Sequence, residues 1–193
     1  ADNLNARFNC NAKANELFMT CGCAPALVSV AHALTTSPED EFIAIAPFFP
    51  EYNVFFTCAG AKLAVVPADT VHFQIDMDAL EKTINEHSVA VVINSPNNPS
   101  GVVYTEETLT KIAELLERKS KEYGHPIYIV ADEPYRELVY DGVKVTFIPN
   151  VYDNTIVCYS WSKSLSLPGE RIGYVYVPEK CADAKAVYDT VSG

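Results

Sequence analysis

Reactive side chains follow three apolar runs of the sequence, at the point where each run ends. Asn98 follows the run that ends at Asn94, Asp132 closes the next run, and Lys163 follows the run that ends at Ser160. An amine can form a covalent bond with a carbonyl group, a carboxylate can hold a neighbouring cation, and amides and hydroxyls can hydrogen-bond a ligand. In open α/β sheets, ligands bind at the carboxyl ends of the strands. These residue types therefore predict a small-molecule site at one edge of a sheet.

The rest of the chain supplies the elements that such a site needs. Apolar runs typical of strands alternate with segments in which apolar residues recur at helical spacing. The predicted strands are Leu17–Thr20, Glu41–Ala46, Lys62–Pro67, Val89–Asn94, Ile127–Asp132, Thr155–Ser160 and Ile172–Val177. The predicted helices are Ala24–Thr35, Pro50–Ala59, Asp76–His87 and Glu106–Glu122. Continuous Val and Ile runs indicate strands buried on both faces, so a doubly wound sheet between helices is expected.

Composition and charge favour one domain that acts on small molecules. The chain has 193 residues, of which 49% are hydrophobic, and this length suits a single core. Its formal net charge of -11, without a basic stripe, disfavours nucleic acid and anionic membranes as partners. No segment approaches the ~20 apolar residues of a membrane span, and no signal peptide is recognisable. We therefore expect a soluble, cytoplasmic protein.

Six cysteines are spread along the chain, mostly in apolar surroundings. This spacing is not the close framework of a small disulfide-rich domain, so we expect reduced, buried thiols. Cys21 and Cys23 are separated by one glycine, but no second Cys or His pair stands at ligand spacing, so no metal site is expected.

Three motifs occur in a fixed order along the chain. They are NSPNNPSG at residues 94–101, DEPY at 132–135, and SWSK at 160–163 with Arg171 and Gly173-Tyr174 after it. Together they resemble the class I/II aminotransferases of fold type I, which depend on pyridoxal 5'-phosphate. The resemblance runs from Thr20 to Pro178 and covers the middle of the family's usual length.

The resemblance implies a fold. Residues 1–193 would form the large, pyridoxal-phosphate-binding domain, with the N-terminal arm and the C-terminal small domain absent. Its architecture would be three-layer α/β/α, with a mostly parallel seven-stranded sheet and one antiparallel strand, Ile172–Val177, between Leu17–Thr20 and Thr155–Ser160. The connection from Ser160 to Ile172 is too short for a helical crossover, which supports the antiparallel direction. Because the chain starts at Ala1 without Met, we also expect a segment of a longer protein.

The resemblance also assigns roles around the cofactor ring. Lys163 would hold the cofactor as a Schiff base and, once freed, would act as the general acid and base. Asp132 would keep the pyridine nitrogen protonated, since a carboxylate at ~4 Å contributes ~4 kcal/mol to a cation at an effective dielectric of about 20. Asn98 and Tyr135 would hydrogen-bond the phenolate oxygen of the ring.

Two further roles concern the ring face and the phosphate. Phe49 would stack on the ring, and Phe48 is the alternative. The phosphate donors would be Arg171, Ser160, Ser162 and the backbone N–H groups of Cys23 and Ala24. The last two would open the helix after Gly22, where the helix dipole favours an anion.

The function implied is transfer of an amino group between an amino acid and a 2-oxo acid, in a homodimer when the protein is full-length. The arginine that binds the substrate carboxylate is expected outside this chain, so the chain alone is expected to be inactive. A lyase or synthase on the same fold stays open, because those enzymes share the cofactor motifs. A ligand-sensing module is disfavoured, because no helix-turn-helix element is recognisable.

Overall fold

The structure, a computed structural model, describes residues 1–193 and contains one seven-stranded sheet. The strands are β1 (Leu17–Thr20), β2 (Glu41–Ile45), β3 (Lys62–Val66), β4 (Ser88–Asn94), β5 (Tyr128–Asp132), β6 (Thr155–Ser160) and β7 (Gly173–Tyr176). Their order is β1-β7-β6-β5-β4-β2-β3. Strand β7 runs antiparallel to β1 and β6, and all other pairs are parallel. The predicted sheet, with its one antiparallel strand, is confirmed.

Helices cover both faces of the sheet. They are α1 (Asp2–Phe8), α2 (Cys23–Leu34), α3 (Tyr52–Cys58), α4 (Met77–Thr83), α5 (Glu106–Tyr123), α6 (Trp161–Ser164) and α7 (Ala184–Ser192). Helices α2, α3 and α7 share one hydrophobic core with the sheet, and α1, α4 and α5 share the other. The three-layer architecture is therefore confirmed. None of these helices combines the length and apolar character that crossing a membrane requires.

Helix α5 illustrates how the sequence determines an element. The Thr105 hydroxyl accepts a hydrogen bond from a backbone N–H of the first turn, and Gly124 ends the helix in the left-handed region at φ 78°. Leu109, Ile112 and Leu116 recur at helical spacing and are buried against the sheet. The N-terminal cap, the C-terminal glycine and the buried face thus all indicate the same helix. The predicted bounds differ from the observed ones by one residue.

Four helices depart from the prediction: α4 is shorter than expected, and α1, α6 and α7 were not among the predicted helices. Helix α4 ends at Thr83 rather than at His87, because Ile84 is extended (ψ 130°) and is buried in the core. Helix α1 was not predicted. It buries only Leu4, so its sequence carries no repeating apolar stripe.

The six cysteines are free thiols in three different environments. Cys158 and Cys181 are buried, as expected, and Cys10 and Cys23 are half-buried. Cys21 and Cys58 are exposed, so the expectation of burial is wrong for this pair. Both lie at the edges of helices, where an apolar sequence context does not guarantee burial.

The three central parallel strands end at the same edge of the sheet. Asn94 of β4 pairs with Asp132 of β5, and Ser160, at the end of β6, pairs with Gly173 of β7. All four residues are buried. The register therefore brings the three motifs side by side before any side-chain contact is considered.

Candidate active site

A cleft of about 310 Å³ opens at this edge of the sheet. All ten site residues predicted from the sequence line it: Cys23, Ala24, Phe49, Asn98, Asp132, Tyr135, Ser160, Ser162, Lys163 and Arg171. The remaining lining residues are Leu27, Asn94, Pro134 and Pro168. The structure thus brings together residues that are up to 148 positions apart in the sequence (171 minus 23).

Asp132 is the buried charge of the cleft. Its side chain is 5% exposed, and each carboxylate oxygen accepts one hydrogen bond. The Cys23 thiol donates to Oδ1 at 3.0 Å, and the Tyr52 hydroxyl donates to Oδ2 at 2.5 Å. Burial raises the pKa of Asp132 above its ordinary value, and these two hydrogen bonds oppose the rise by favouring the anion.

Asn94 joins two of the loops that form the cleft. Its side-chain amide donates to the backbone oxygen of Asp132 at 2.8 Å, and its Oδ1 accepts from the backbone N–H of Asn98 at 2.6 Å. Asn98 therefore has a fixed position relative to Asp132. Burial raises the pKa of the half-buried Tyr135 phenol, the charge of Asp132 raises it further, and the Asn98 side chain nearby lowers it.

Lys163 lies on α6, a single helical turn that follows β6 directly. The backbone N–H of Trp161 donates to the oxygen of Ile172 at 3.2 Å, which ties this turn to the approach to β7. The Lys163 amine is solvent-exposed, makes no ion pair, and lies 5.8 Å from the centre of the Tyr135 ring. A primary amine without a carboxylate partner is thus available at the mouth of the cleft.

Arg171 and the start of α2 form the anion-binding end of the cleft. The Arg171 guanidinium lies against Gly22, where an added Cβ would come within 2.6 Å of Nη2. Gly22 has φ 98° and immediately precedes α2. The backbone N–H groups of Cys23 and Ala24 open this 12-residue helix, and its dipole favours negative charge at the same place.

Gly173 brings these two parts of the cleft together. A Cβ at Gly173 would lie 2.6 Å from the backbone oxygen of Tyr159 and 2.7 Å from the carbonyl carbon of Gly22. Only a residue without a side chain permits this approach of β7 to β6 and to the start of α2. Arg171, two residues earlier, is thereby held beside Gly22.

The structure also separates the two candidate ring-stacking residues. Phe49 lines the cleft and meets the Tyr52 ring edge-on, at 5.8 Å between centroids and 79° between planes. Phe48 stacks on Tyr52 at 6.2 Å and does not line the cleft. Of the two, only Phe49 can contact a molecule bound there.

Sequence reasoning missed Tyr52 and gave no role to Asn94, although both contact Asp132. Tyr52 belongs to the segment YNVFF, in which a tyrosine resembles one more core aromatic. The available signal was its place three residues after Phe49, which puts both rings on one side of the chain. Asn94 stood inside the first motif, but strand ends commonly carry such an amide as a structural cap.

A larger cavity, of about 510 Å³, lies between α1, β1 and α6. Its lining includes Arg7, Arg136 and Trp161 and is mostly apolar. Neither Lys163 nor Asp132 reaches it. The smaller cleft therefore carries the reactive groups.

Comparison with known families agrees with this geometry. The profile of the family described as aminotransferase class I and II matches residues 4–191. The chain belongs to this family. The match includes the whole sheet and all the residues that line the smaller cleft.

Similar proteins are themselves aminotransferases. A solved aminotransferase from Eubacterium rectale is 60% identical, with a TM-score of 0.99, over 100% of this chain and 48% of that one. An aspartate aminotransferase of Bacillus subtilis is 35% identical over 86% of this chain and 42% of its own length. A probable N-acetyl-LL-diaminopimelate aminotransferase of the same species is 33% identical over 92% and 43%, respectively. The chain thus spans somewhat less than half the length of these relatives.

Proposed function

We propose that residues 1–193 form the cofactor-binding domain of an aminotransferase that uses pyridoxal 5'-phosphate. The reaction would move an amino group between an amino acid and a 2-oxo acid. The observation that supports this proposal best is the meeting of an amine, a buried carboxylate and an anion site in one cleft of about 310 Å³. No two of these groups are adjacent in the sequence, so their meeting is a property of the fold.

The residues of the cleft fit this cofactor in three independent respects. Lys163 offers an amine for its aldehyde, Asp132 offers a buried carboxylate for its ring nitrogen, and Arg171 offers a fork for its phosphate. Gly22 leaves the space that the guanidinium occupies, since a Cβ there would lie 2.6 Å from Nη2. When bound, the cofactor supplies a ring that withdraws electrons from the α-carbon of the substrate.

The protein's own groups would manage the protons. Lys163 is a general acid and base, because its amine lies at the mouth of the cleft without an ion-pair partner. Asp132 would hold a proton on the ring nitrogen, because a neighbouring cation offsets the cost of burying the Asp132 carboxylate. The hydroxyls of Ser160 and Ser162 add donors beside Arg171.

Tyr135, Asn98 and Phe49 would orient the ring. The Tyr135 hydroxyl and the Asn98 amide belong to residues that line the same cleft, so both can turn towards the same ligand oxygen. Phe49 closes another wall of the cleft with its ring. Holding the ring in one orientation in this way lowers the entropic part of the activation barrier.

The named relatives favour amino-group transfer over the alternatives. A lyase or synthase on the same fold and a ligand-sensing module are both disfavoured, because the similar proteins are aminotransferases by name. The homodimer and the cytoplasmic location stay predictions.

We place the arginine for the substrate carboxylate outside these residues. Of the four arginines, Arg7 pairs with Glu137, Arg118 lies on the far end of α5, and Arg136 is buried in an ion pair. Arg171 is assigned to the phosphate. No arginine remains for a carboxylate in the cleft.

The test uses the intact protein, supplied with pyridoxal phosphate, a panel of amino acids and 2-oxoglutarate. We expect glutamate to form with at least one amino acid. Lys163→Ala should abolish both turnover and the absorbance band of lysine-bound cofactor, whereas Arg171→Ala should keep the band at high cofactor concentration. Lys62→Ala is the control, since Lys62 is an exposed lysine at the start of β3 and pairs with Glu39. An unchanged absorbance band in Lys163→Ala would refute the proposal.

A further inference from the structure

Both oxygens of the Asp132 carboxylate already have donors in the structure. Cys23 donates to Oδ1 at 3.0 Å from the first residue of α2, and Tyr52 donates to Oδ2 at 2.5 Å from the first residue of α3. A ligand that needs this carboxylate must therefore share an oxygen with a donor or displace one.

The two donors differ in strength and in access. Tyr52 is 1% exposed and does not line the cleft, and its phenolic hydroxyl is a strong hydrogen-bond donor to a carboxylate. Cys23 is half-buried and lines the cleft, and a thiol is a weak donor. The oxygen bonded to Cys23 is thus the one that a ligand in the cleft can reach.

Building on the proposed function, we infer that Tyr52 is a positioning residue that permanently orients Asp132 and keeps it anionic. The Cys23 thiol occupies the cleft-facing oxygen in the absence of a ligand and yields it to a cationic ring nitrogen. The exchange replaces a weak neutral donor with a charged one, so it favours the ligand. The thiol keeps its proton throughout.

The neighbouring groups are consistent with this exchange. Burial raises the pKa of the Cys23 thiol and of the Tyr52 phenol well above their ordinary values, and the charge of Asp132 raises each further. Both groups therefore remain donors at neutral pH.

The other titratable groups near Asp132 are Glu133 and Tyr135 on its own segment, Cys158 on β6 and Lys163 across the cleft. Cys158 is buried, and burial raises its thiol pKa. The carboxylate of Glu133 is engaged by a buried arginine. None of these groups donates a hydrogen bond to the Asp132 side chain.

The role of Tyr52 is tested in the intact, cofactor-free protein by following the ¹³C-carboxyl resonance of Asp132 against pH. The resonance is assigned with Asp132→Asn. Tyr52→Phe should raise the pKa of Asp132 by about 1 to 2 units, because a hydrogen bond to the anion is lost. Cys23→Ala should raise it by less, and Tyr104→Phe, at a buried tyrosine without contact to Asp132, should leave it unchanged. An unchanged Asp132 titration in folded Tyr52→Phe, or a larger effect of Cys23→Ala, would overturn the assignment.

The role of Cys23 is tested in the wild-type protein with its S–H infrared band, which is assigned by subtraction of the Cys23→Ala spectrum. Adding pyridoxal phosphate, with binding verified by visible absorbance, should move the band to the frequency of a thiol without a carboxylate acceptor. A band that stays in place while the cofactor is bound overturns the exchange. If no cofactor binds, the proposed function fails together with the exchange, while the role of Tyr52 is still decided by the cofactor-free titration.

Discussion

Replacing Gly22 with alanine should weaken cofactor binding by displacing a side chain 149 positions away (171 minus 22). The new Cβ would lie 2.6 Å from Nη2 and 3.0 Å from Cζ of Arg171. Since unstrained contacts between such atoms are about 3.5 Å, the guanidinium must move by about 1 Å. A shift of that size breaks a charge-assisted hydrogen bond to the cofactor phosphate, which is short and directional.

The expected loss can be estimated from the hydrogen bond alone. One bond to a charged group contributes ~1.5 to 3 kcal/mol, so the Kd for pyridoxal phosphate should rise by roughly 10- to 150-fold. The variant also places a side chain at φ 98°, which costs about 1 to 3 kcal/mol of folding stability. The two effects require separate measurements.

Gly60→Ala provides the matched control. Gly60 has φ 90°, close to the value at Gly22, but an added Cβ there meets nothing within 4 Å. Urea unfolding should give similar stability losses for both variants, whereas fluorescence titration with pyridoxal phosphate should detect weaker binding only for Gly22→Ala. In an Arg171→Ala background, Gly22→Ala should add little. Wild-type cofactor affinity in folded Gly22→Ala would refute the reasoning.

Three further predictions concern Asp132, Arg136 and the activity of residues 1–193 alone. Because burial raises the pKa of Asp132, the contribution of this group to stability is full below its unfolded-state pKa and is lost as pH rises through its folded-state pKa. Asp132→Asn should therefore stabilise the cofactor-free protein at neutral pH, by an amount that shrinks towards pH 4. Denaturant unfolding at several pH values without this trend would contradict the prediction. Arg136→Ala should lower the free energy of unfolding by ~3 to 5 kcal/mol, because it leaves the 2%-exposed Glu133 unpaired. Lys111→Ala, in an exposed pair with Glu107, should lower it by about 0.5 kcal/mol or less in the same urea titration. Equal losses would show that burial of the ion pair is not decisive. Residues 1–193 expressed alone should fold but form no glutamate above the free-cofactor background, and multiple turnover would show that a carboxylate site exists within them.

Periodicity predicted the strands, and the family resemblance carried by the three motifs implied their order in the sheet and the members of the cleft. The strand ends at Asn94, Asp132 and Ser160 carry polar residues directly after buried runs, and the register of parallel strands then aligns them. The antiparallel direction of β7 was implied by the family resemblance and supported by a connection that is too short for a helical crossover. The strands themselves are local features, and the local sequence predicts them well.

Contacts between distant elements were not predictable in the same way. The Tyr52 hydroxyl reaches Asp132 across 80 positions, and nothing in its own segment indicates that a core aromatic has a polar partner. Arg136 likewise had no predicted role, yet its guanidinium lies buried, 4.6 Å from the centre of the Tyr159 ring and paired with Glu133. The end of α4 depended on Ile84 entering the core, which helical propensity alone does not determine.

The most direct measurement maps where the cofactor bonds to the protein. The intact protein is incubated with pyridoxal phosphate, reduced with borohydride to make the bond permanent, digested, and analysed by mass spectrometry. We predict that the modified peptide carries the label on Lys163, and that an excess of a phosphate-free competitor does not prevent it. Labelling of a different lysine, or of none under conditions that label a relative of known activity, would contradict the assignment of this cleft as a pyridoxal-phosphate site.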